Sequence, residues 1–176
     1  MTAEPAHVEL DEVVAALVAL PDVLATLLEP IPHEALAERP EPGEWCVLEV
    51  IGHLVACDAE AFRDRIVAIA RGDGVVAPFR PWAAIEARDL AAEPLGSLLD
   101  ELRSERAVSA ELLATLTPDE LAVVGTFRDG RRFAAGDFVH EWPYHDRDHL
   151  QQILEILKVR QLGPMTPVMR SALTDG

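Results

Sequence analysis

Basic side chains are scarce in this chain. Its 176 residues include 15 Lys and Arg against 31 Asp and Glu, a formal net charge of −16 at pH 7. A field of that sign repels phosphate backbones, so no nucleic-acid partner is expected. Long apolar runs are missing too. Those present are short and interrupted by charge, so no segment reads as membrane-spanning. The opening stretch MTAEPAHVELDE is acidic and lacks the basic region and apolar run of a secretory signal. Cysteine is nearly absent, with Cys46 and Cys57 the two present. On one helix, eleven residues would separate them by about 16 Å. A disulfide needs Cα atoms within about 7 Å. Both are therefore expected as free thiols, and the expected compartment is the reducing cytoplasm. There is also no C-x-x-C pair, no G-x-S-x-G elbow and no phosphate-binding loop.

Apolar residues make up 49% of the chain and charged residues 26%. That balance belongs to a globular protein, and the length suits one domain, residues 1–176, around a single core. Four segments carry apolar residues at helical spacing. The first spans about Val8 to Leu28, with Pro21 inside, expected to kink it or to start a second piece. A proline-rich connection follows, with one helical turn near Glu34 to Ala37. The second helix spans about Val47 to Ala70, with Gly72 and Gly74 as stop signals. The third spans about Pro94 to Leu116 and the fourth about Ala135 to Arg160. Strand signals are nearly absent. Asp129-Gly130 favours a turn, and a short hairpin there has weak support. Four helices with modest connections predict an all-α four-helix bundle.

The fourth segment contains HEWPYHDRDHLQQI, from His140. His145 and His149 are four residues apart, so both rings leave one helix face. First-row transition metals accept imidazole nitrogens at about 2.0–2.1 Å, and one helical turn brings two rings within reach of one ion. By itself the pair is as well explained by surface polarity. His53 shifts the balance, because it sits among apolar residues of the second helix, in EVIGHLVACDAE. Two helices pointing three imidazoles into a bundle interior is where such folds build metal sites. His7, His33 and His140 have no such setting; His140 lies about 140° round the helix from His145. Other metal motifs fail on spacing. HEWPYH is one residue longer than H-E-x-x-H and contains a proline. Glu49/His53 and Glu141/His145 are one residue longer than the E-x-x-H of di-iron bundles.

Two stretches, PEPGEWCVLEVIGHLVACDAEAF and GRRFAAGDFVHEWPYHDRDHLQQI, together resemble the DinB-like superfamily, which includes YfiT-like proteins described as metal-dependent. The resemblance is carried by Trp45, Glu49, His53, His145, Asp146, His149, Gln152 and Ile153, and extends from about Leu10 to Leu162. It implies a bundle of the DinB type, often dimeric, with a divalent ion (zinc, nickel, iron or manganese) held by His53, His145 and His149. It also implies the activities known in the family. These include S-transfer with a low-molecular-weight thiol of the bacillithiol, mycothiol or glutathione class. No catalytic residue and no thiol-binding residue is assigned by it. Two positions depart from the pattern. Cys46 stands where a serine or threonine would cap the second helix, and Ala134 where a threonine would open the fourth.

Three imidazoles leave the ion's charge uncancelled and at least one position open, where water or a thiol would be acidified. Three readings follow. A metal-dependent thiol S-transferase, with a small-molecule thiol and an electrophile as partners, predicts an open position beside a pocket with a few cationic groups. A non-catalytic metal-binding stress or interaction protein predicts no pocket. A metal-dependent hydrolase needs a positioned base; the thiol reaction does not, and Glu60 and Asp146 are the candidates should it use one. Asp146 could instead support a ligand histidine. Cys57, one turn after His53, is expected as a small buried apolar residue, although as a fourth ligand it would close the site. Trp45, Trp82, Trp142 and Tyr144 are expected in packing or loop anchoring, and Arg63 and Arg147 in surface ion pairs.

Overall fold

In the computed structural model, residues 9–72, 74–76 and 80–174 are described. His7, Val8 and the side chain of Trp82 lie outside them. Leucines and valines three to four residues apart form α1, Leu10–Leu28, which buries Val13, Leu17, Leu24 and Leu28. The helix runs unbroken through the buried Pro21. Tertiary burial on that face outweighs the one backbone hydrogen bond that proline removes. A single turn, α2, covers His33–Leu36.

The second long element is composite. α3, Val47–Ala56, continues without a break into a π-helical stretch, Cys57–Arg63, and then into α4, Asp64–Arg71. Cys46 makes no side-chain cap, as the sequence predicts. Glu49 supplies the reciprocal half of a capping box by accepting the Cys46 backbone N–H at 2.9 Å. Arg39 also pairs with Glu49. The fourth helix starts the same way, with Asp137 accepting the Ala134 N–H at 2.8 Å.

Between these rods lie short elements: β1, Val75–Val76; α5, Pro81–Glu86; and a 3₁₀ turn, Leu90–Ala92. Then come α6, Leu95–Leu113; α7, Pro118–Leu121; β2, Val124–Phe127; and β3, Arg132–Ala134. The long α8 covers Ala135–Leu162, and α9 covers Pro167–Thr174. β2 and β3 form an antiparallel hairpin with Gly125 opposite Phe133. Gly130 turns it at φ +86°, a conformation that suits glycine. β1 adds to β2 in parallel, with Val75 opposite Thr126. The expected all-α bundle thus carries a three-stranded sheet, and has the further short helices α5 and α9, none of which the helical periodicity showed. Among the described residues, no helix is long and apolar enough to cross a membrane.

α1 packs on α6 and α8, and α3 packs on the same two helices. The core is divided into two clusters. One holds Leu24, Leu28, Leu48, Ile51, Leu98, Leu102 and Ile153. The other holds Val13, Leu17, Phe62, Ile66, Leu113, Phe138 and Trp142. On three of the four long rods, buried polar residues fall at the junction, with Glu49 an exception near the start of α3. Arg106 lies between Leu102 and Leu113, Asp146 between Trp142 and Ile153, and His53 to Asp58 between Ile51 and Phe62. A polar layer therefore crosses the bundle between two apolar halves.

Candidate metal centre

His53 leaves α3 one turn before the π-helical stretch, and His145 and His149 leave one face of α8. Their rings meet. The ring centroids of His53 and His145 are 5.2 Å apart, those of His53 and His149 4.5 Å, and those of His145 and His149 4.4 Å. The Nε2 atoms of His53 and His145 face each other at 3.2 Å. His149 Nδ1–H donates to Gln152 Oε1 at 2.8 Å. That tautomer leaves the lone pair on its Nε2.

Burial pushes the pKa of His53 down to about 3, with the His149 charge acting in the same direction. Burial likewise takes His145 to about 3, assisted by His149, His53 and Arg106. Both rings are therefore neutral at pH 7, the form in which an imidazole nitrogen donates to a metal.

Cys57 is buried in the second core cluster, as expected of a small apolar residue, and its thiol also faces the histidines. Its Sγ lies 3.4 Å from His53 Nε2 and 3.8 Å from His145 Nε2. Among the described residues, His53, Cys57 and His145 form a group whose donor atoms all lie within 4.8 Å of one another. Metal-free, the thiol is held protonated, since burial pushes its pKa far up. The His149 ring packs against both other rings from the outer side, next to Gln152.

Asp146 faces away from this duty. Its Oδ2 and Oδ1 take a two-pronged contact from Arg106, at 2.7 and 2.8 Å. Arg106 Nε is 2.9 Å from Asp58 Oδ2, and Trp142 Nε1–H donates to Asp58 Oδ1 at 3.2 Å. All four side chains are buried. Burial raises the carboxyl pKa values of Asp58 and Asp146, and Arg106 acts against that rise. This network locks α6 to the rod carrying His53 and Cys57 and to the rod carrying the other two histidines. Arg106 and Asp58 did not stand out in the sequence. The available signal was the position of Arg106, in line with Leu98, Leu102, Ser109 and Leu113 on the core face of α6.

The remaining candidates separate cleanly. Glu60 is exposed. Arg63 pairs with Glu105, and Arg147 donates to the Pro143 carbonyl. Tyr144, His33 and His140 point to solvent. Trp142 is core, stacked on Phe62 at 4.7 Å. Trp45 packs on His53 at 4.8 Å between centroids and on His149 at 6.3 Å. With His149, Gln152 and Ile156, Trp45 walls an open groove of about 560 Å³. Glu44 and Glu155 also line it, and among the described residues no Lys or Arg does.

A family model, the DinB superfamily, matches residues 16–153 of this chain. The chain belongs to the DinB superfamily. Two solved structures place the fold within it. YfiT from Bacillus subtilis is described as a probable metal-dependent hydrolase with an unusual four-helix bundle topology. It superposes with a TM-score of 0.77 at 18% identity, over 93% of this chain and 94% of that one. A DinB-like protein from Bacillus cereus ATCC 10987 gives a TM-score of 0.56 at 18% identity, over 89% and 95% of the two chains. Comparison with curated protein sequences gives no match. In this DinB protein the three histidine rings lie together beside Trp45, while the close group of donor atoms takes in Cys57 with His53 and His145 and leaves out His149.

Proposed function

We propose that this DinB protein holds a divalent metal ion on His53, His145 and His149 and uses it to activate a low-molecular-weight thiol for transfer to an electrophile. The observation that supports this best is the meeting of three imidazoles from two helices, two of them kept neutral by burial, at the side of an open groove. Neutral nitrogen donors suit zinc, nickel, cobalt or iron, with less preference for manganese. When bound, the ion would supply the positive charge that acidifies a thiol.

The chain's own residues provide the setting. Gln152 fixes the tautomer of His149, as outer partners of ligand histidines commonly do. Trp45 gives the groove an apolar wall beside the rings. The buried carboxylates nearby are committed: Asp146 and Asp58 to Arg106, and Glu49 to Arg39 and the Cys46 N–H. A thiol that ionises on the metal needs no protein base, whereas metal-bound water attacking an ester is helped by one. The groove departs from one expectation, because its charged residues are acidic rather than cationic. An uncharged sugar-linked thiol of the mycothiol type meets less repulsion there than carboxylate-bearing glutathione or bacillithiol.

Hydrolysis is the second reading, favoured by the description of YfiT. Glu44 and Glu155 in the groove would then be the candidate bases. One assay separates the two. Protein loaded with zinc or nickel is given a chlorodinitrobenzene electrophile with each thiol in turn, and separately an activated ester without thiol. The expected result is metal-dependent conjugation, fastest with the uncharged thiol. Ester cleavage without conjugation would instead establish the hydrolase. Neither reaction from fully loaded protein would leave a non-catalytic metal-binding protein.

A further inference from the structure

We infer that Cys57 is itself a metal ligand, so that the ion sits in a mixed sulfur–nitrogen site with His53, His145 and His149. This rests on the metal-binding half of the function proposed above and not on the transferase half. The argument is geometric. Zinc bound to nitrogen at about 2.0–2.1 Å and to sulfur at about 2.3 Å, at tetrahedral angles, sets two nitrogens about 3.4 Å apart and a nitrogen about 3.6 Å from the sulfur. The metal-free cluster already has nearly these edges. The two Nε2 atoms are 3.2 Å apart, and Sγ lies 3.4 Å and 3.8 Å from them. Three donors thus form one triangular face of a tetrahedron of the right size.

One edge of this face is built locally. His53 and Cys57 are i and i+4 on one helix, which aligns their side chains. The helix continues from Cys57 in π geometry to Arg63, a rare form that is frequent at functional sites. Cys57 also packs in the apolar cluster with Phe62 and Trp142; what helix spacing alone does not require is the approach of its Sγ to His145 Nε2 on the other helix.

Coordination replaces the Sγ–H bond with an Sγ–metal bond, and the proton leaves to solvent buffer. The mixed donor set shifts selectivity toward zinc, cobalt and copper(I) and away from manganese. With four protein donors, an external thiol would enter as a fifth ligand, an expansion that zinc sites tolerate.

The test uses zinc- and cobalt(II)-loaded full-length protein. Zinc-edge X-ray absorption of the wild type should show one sulfur neighbour at about 2.3 Å beside nitrogen neighbours at about 2.0–2.1 Å. The cobalt(II) form should show a thiolate charge-transfer band in the near ultraviolet. That band should vanish in Cys57→Ser and persist in Cys46→Ser. Zinc affinity of Cys57→Ser should fall by more than about tenfold, the loss that removing a mere supporting partner already reaches. Stoichiometric metal with a nitrogen and oxygen shell alone overturns the inference and leaves the three-histidine centre standing. A band surviving in Cys57→Ser overturns it as well. No uptake of either ion by wild type overturns both. The absorption measurement needs no variant, so a misfolded Cys57→Ser does not weaken the test.

Discussion

Arg106→Ala should cost about 3–5 kcal/mol of folding stability, the scale for removing one partner of a buried ion pair. For a chain of this size that lowers Tm by about 6–20 °C. The guanidinium is 1% exposed and holds two buried carboxylates, Asp58 and Asp146, while its carbon sits 5.5 Å above the Trp142 ring. Without it, both carboxylates must take up protons or remain buried and unpaired. Arg106→Lys should recover little, because an ammonium cannot bridge both oxygens of Asp146 and reach Asp58 at once. The triple variant Arg106→Leu, Asp58→Leu, Asp146→Leu should regain much of the loss, since it leaves no charge behind. Urea unfolding of the four proteins measures this. A loss below about 1 kcal/mol in Arg106→Ala would show that water reaches the network and that it does not fasten the three rods.

His53 and His145 should make metal-free protein lose stability as pH falls below about 6.5. An unfolded histidine titrates near pH 6.5. In the folded protein, burial holds His53 and His145 neutral down to about pH 3. Between those values the unfolded chain binds protons that the folded chain does not. The contribution of the two rings to stability is therefore full above pH 6.5 and declines on acidification, by about 1.4 kcal/mol per pH unit for each ring. Buried Asp58, whose pKa burial raises to about 7, acts in the opposite direction over the same window. Exposed carboxylates give the profile their own slope at lower pH, so the comparison is with a His53→Gln, His145→Gln variant. Its profile between pH 6.5 and 4.5 should be flatter by about 2–3 kcal/mol per pH unit. Parallel profiles would mean that the rings are solvated and protonate freely in the folded protein.

Much of this was legible from residue spacing. α1, α6, α8 and the α3–α4 rod follow the apolar period of 3.6, and their predicted ends fall within a few residues of the observed ones. The meeting of His53 with the α8 histidines followed from helix periodicity and bundle packing. The parallel pairing of β1 with β2 did not. Two valines carry no alternation signal, and their partners, Thr126 and Phe127, lie some fifty residues away. The Arg106 network was hidden for another reason. In LRSERAVSAE the arginine reads as one more solvated charge, and only its alignment with the α6 leucines marks it as buried. Cys57 was weighed by residue type, as a small buried thiol. Its place beside two ring nitrogens depends on how closely α3 and α8 approach, which no single-helix pattern encodes.

The most direct test of the metal centre is elemental analysis of gently purified wild-type protein beside His145→Ala, each before and after incubation with zinc and dialysis. His145 contacts both His53 and Cys57, so it belongs to the centre with or without the sulfur ligand. The structure predicts close to one divalent ion per wild-type chain and almost none in a folded His145→Ala. Wild-type protein that neither carries an ion nor retains zinc would contradict it, and the three rings would then be only part of the polar layer between two halves of the core.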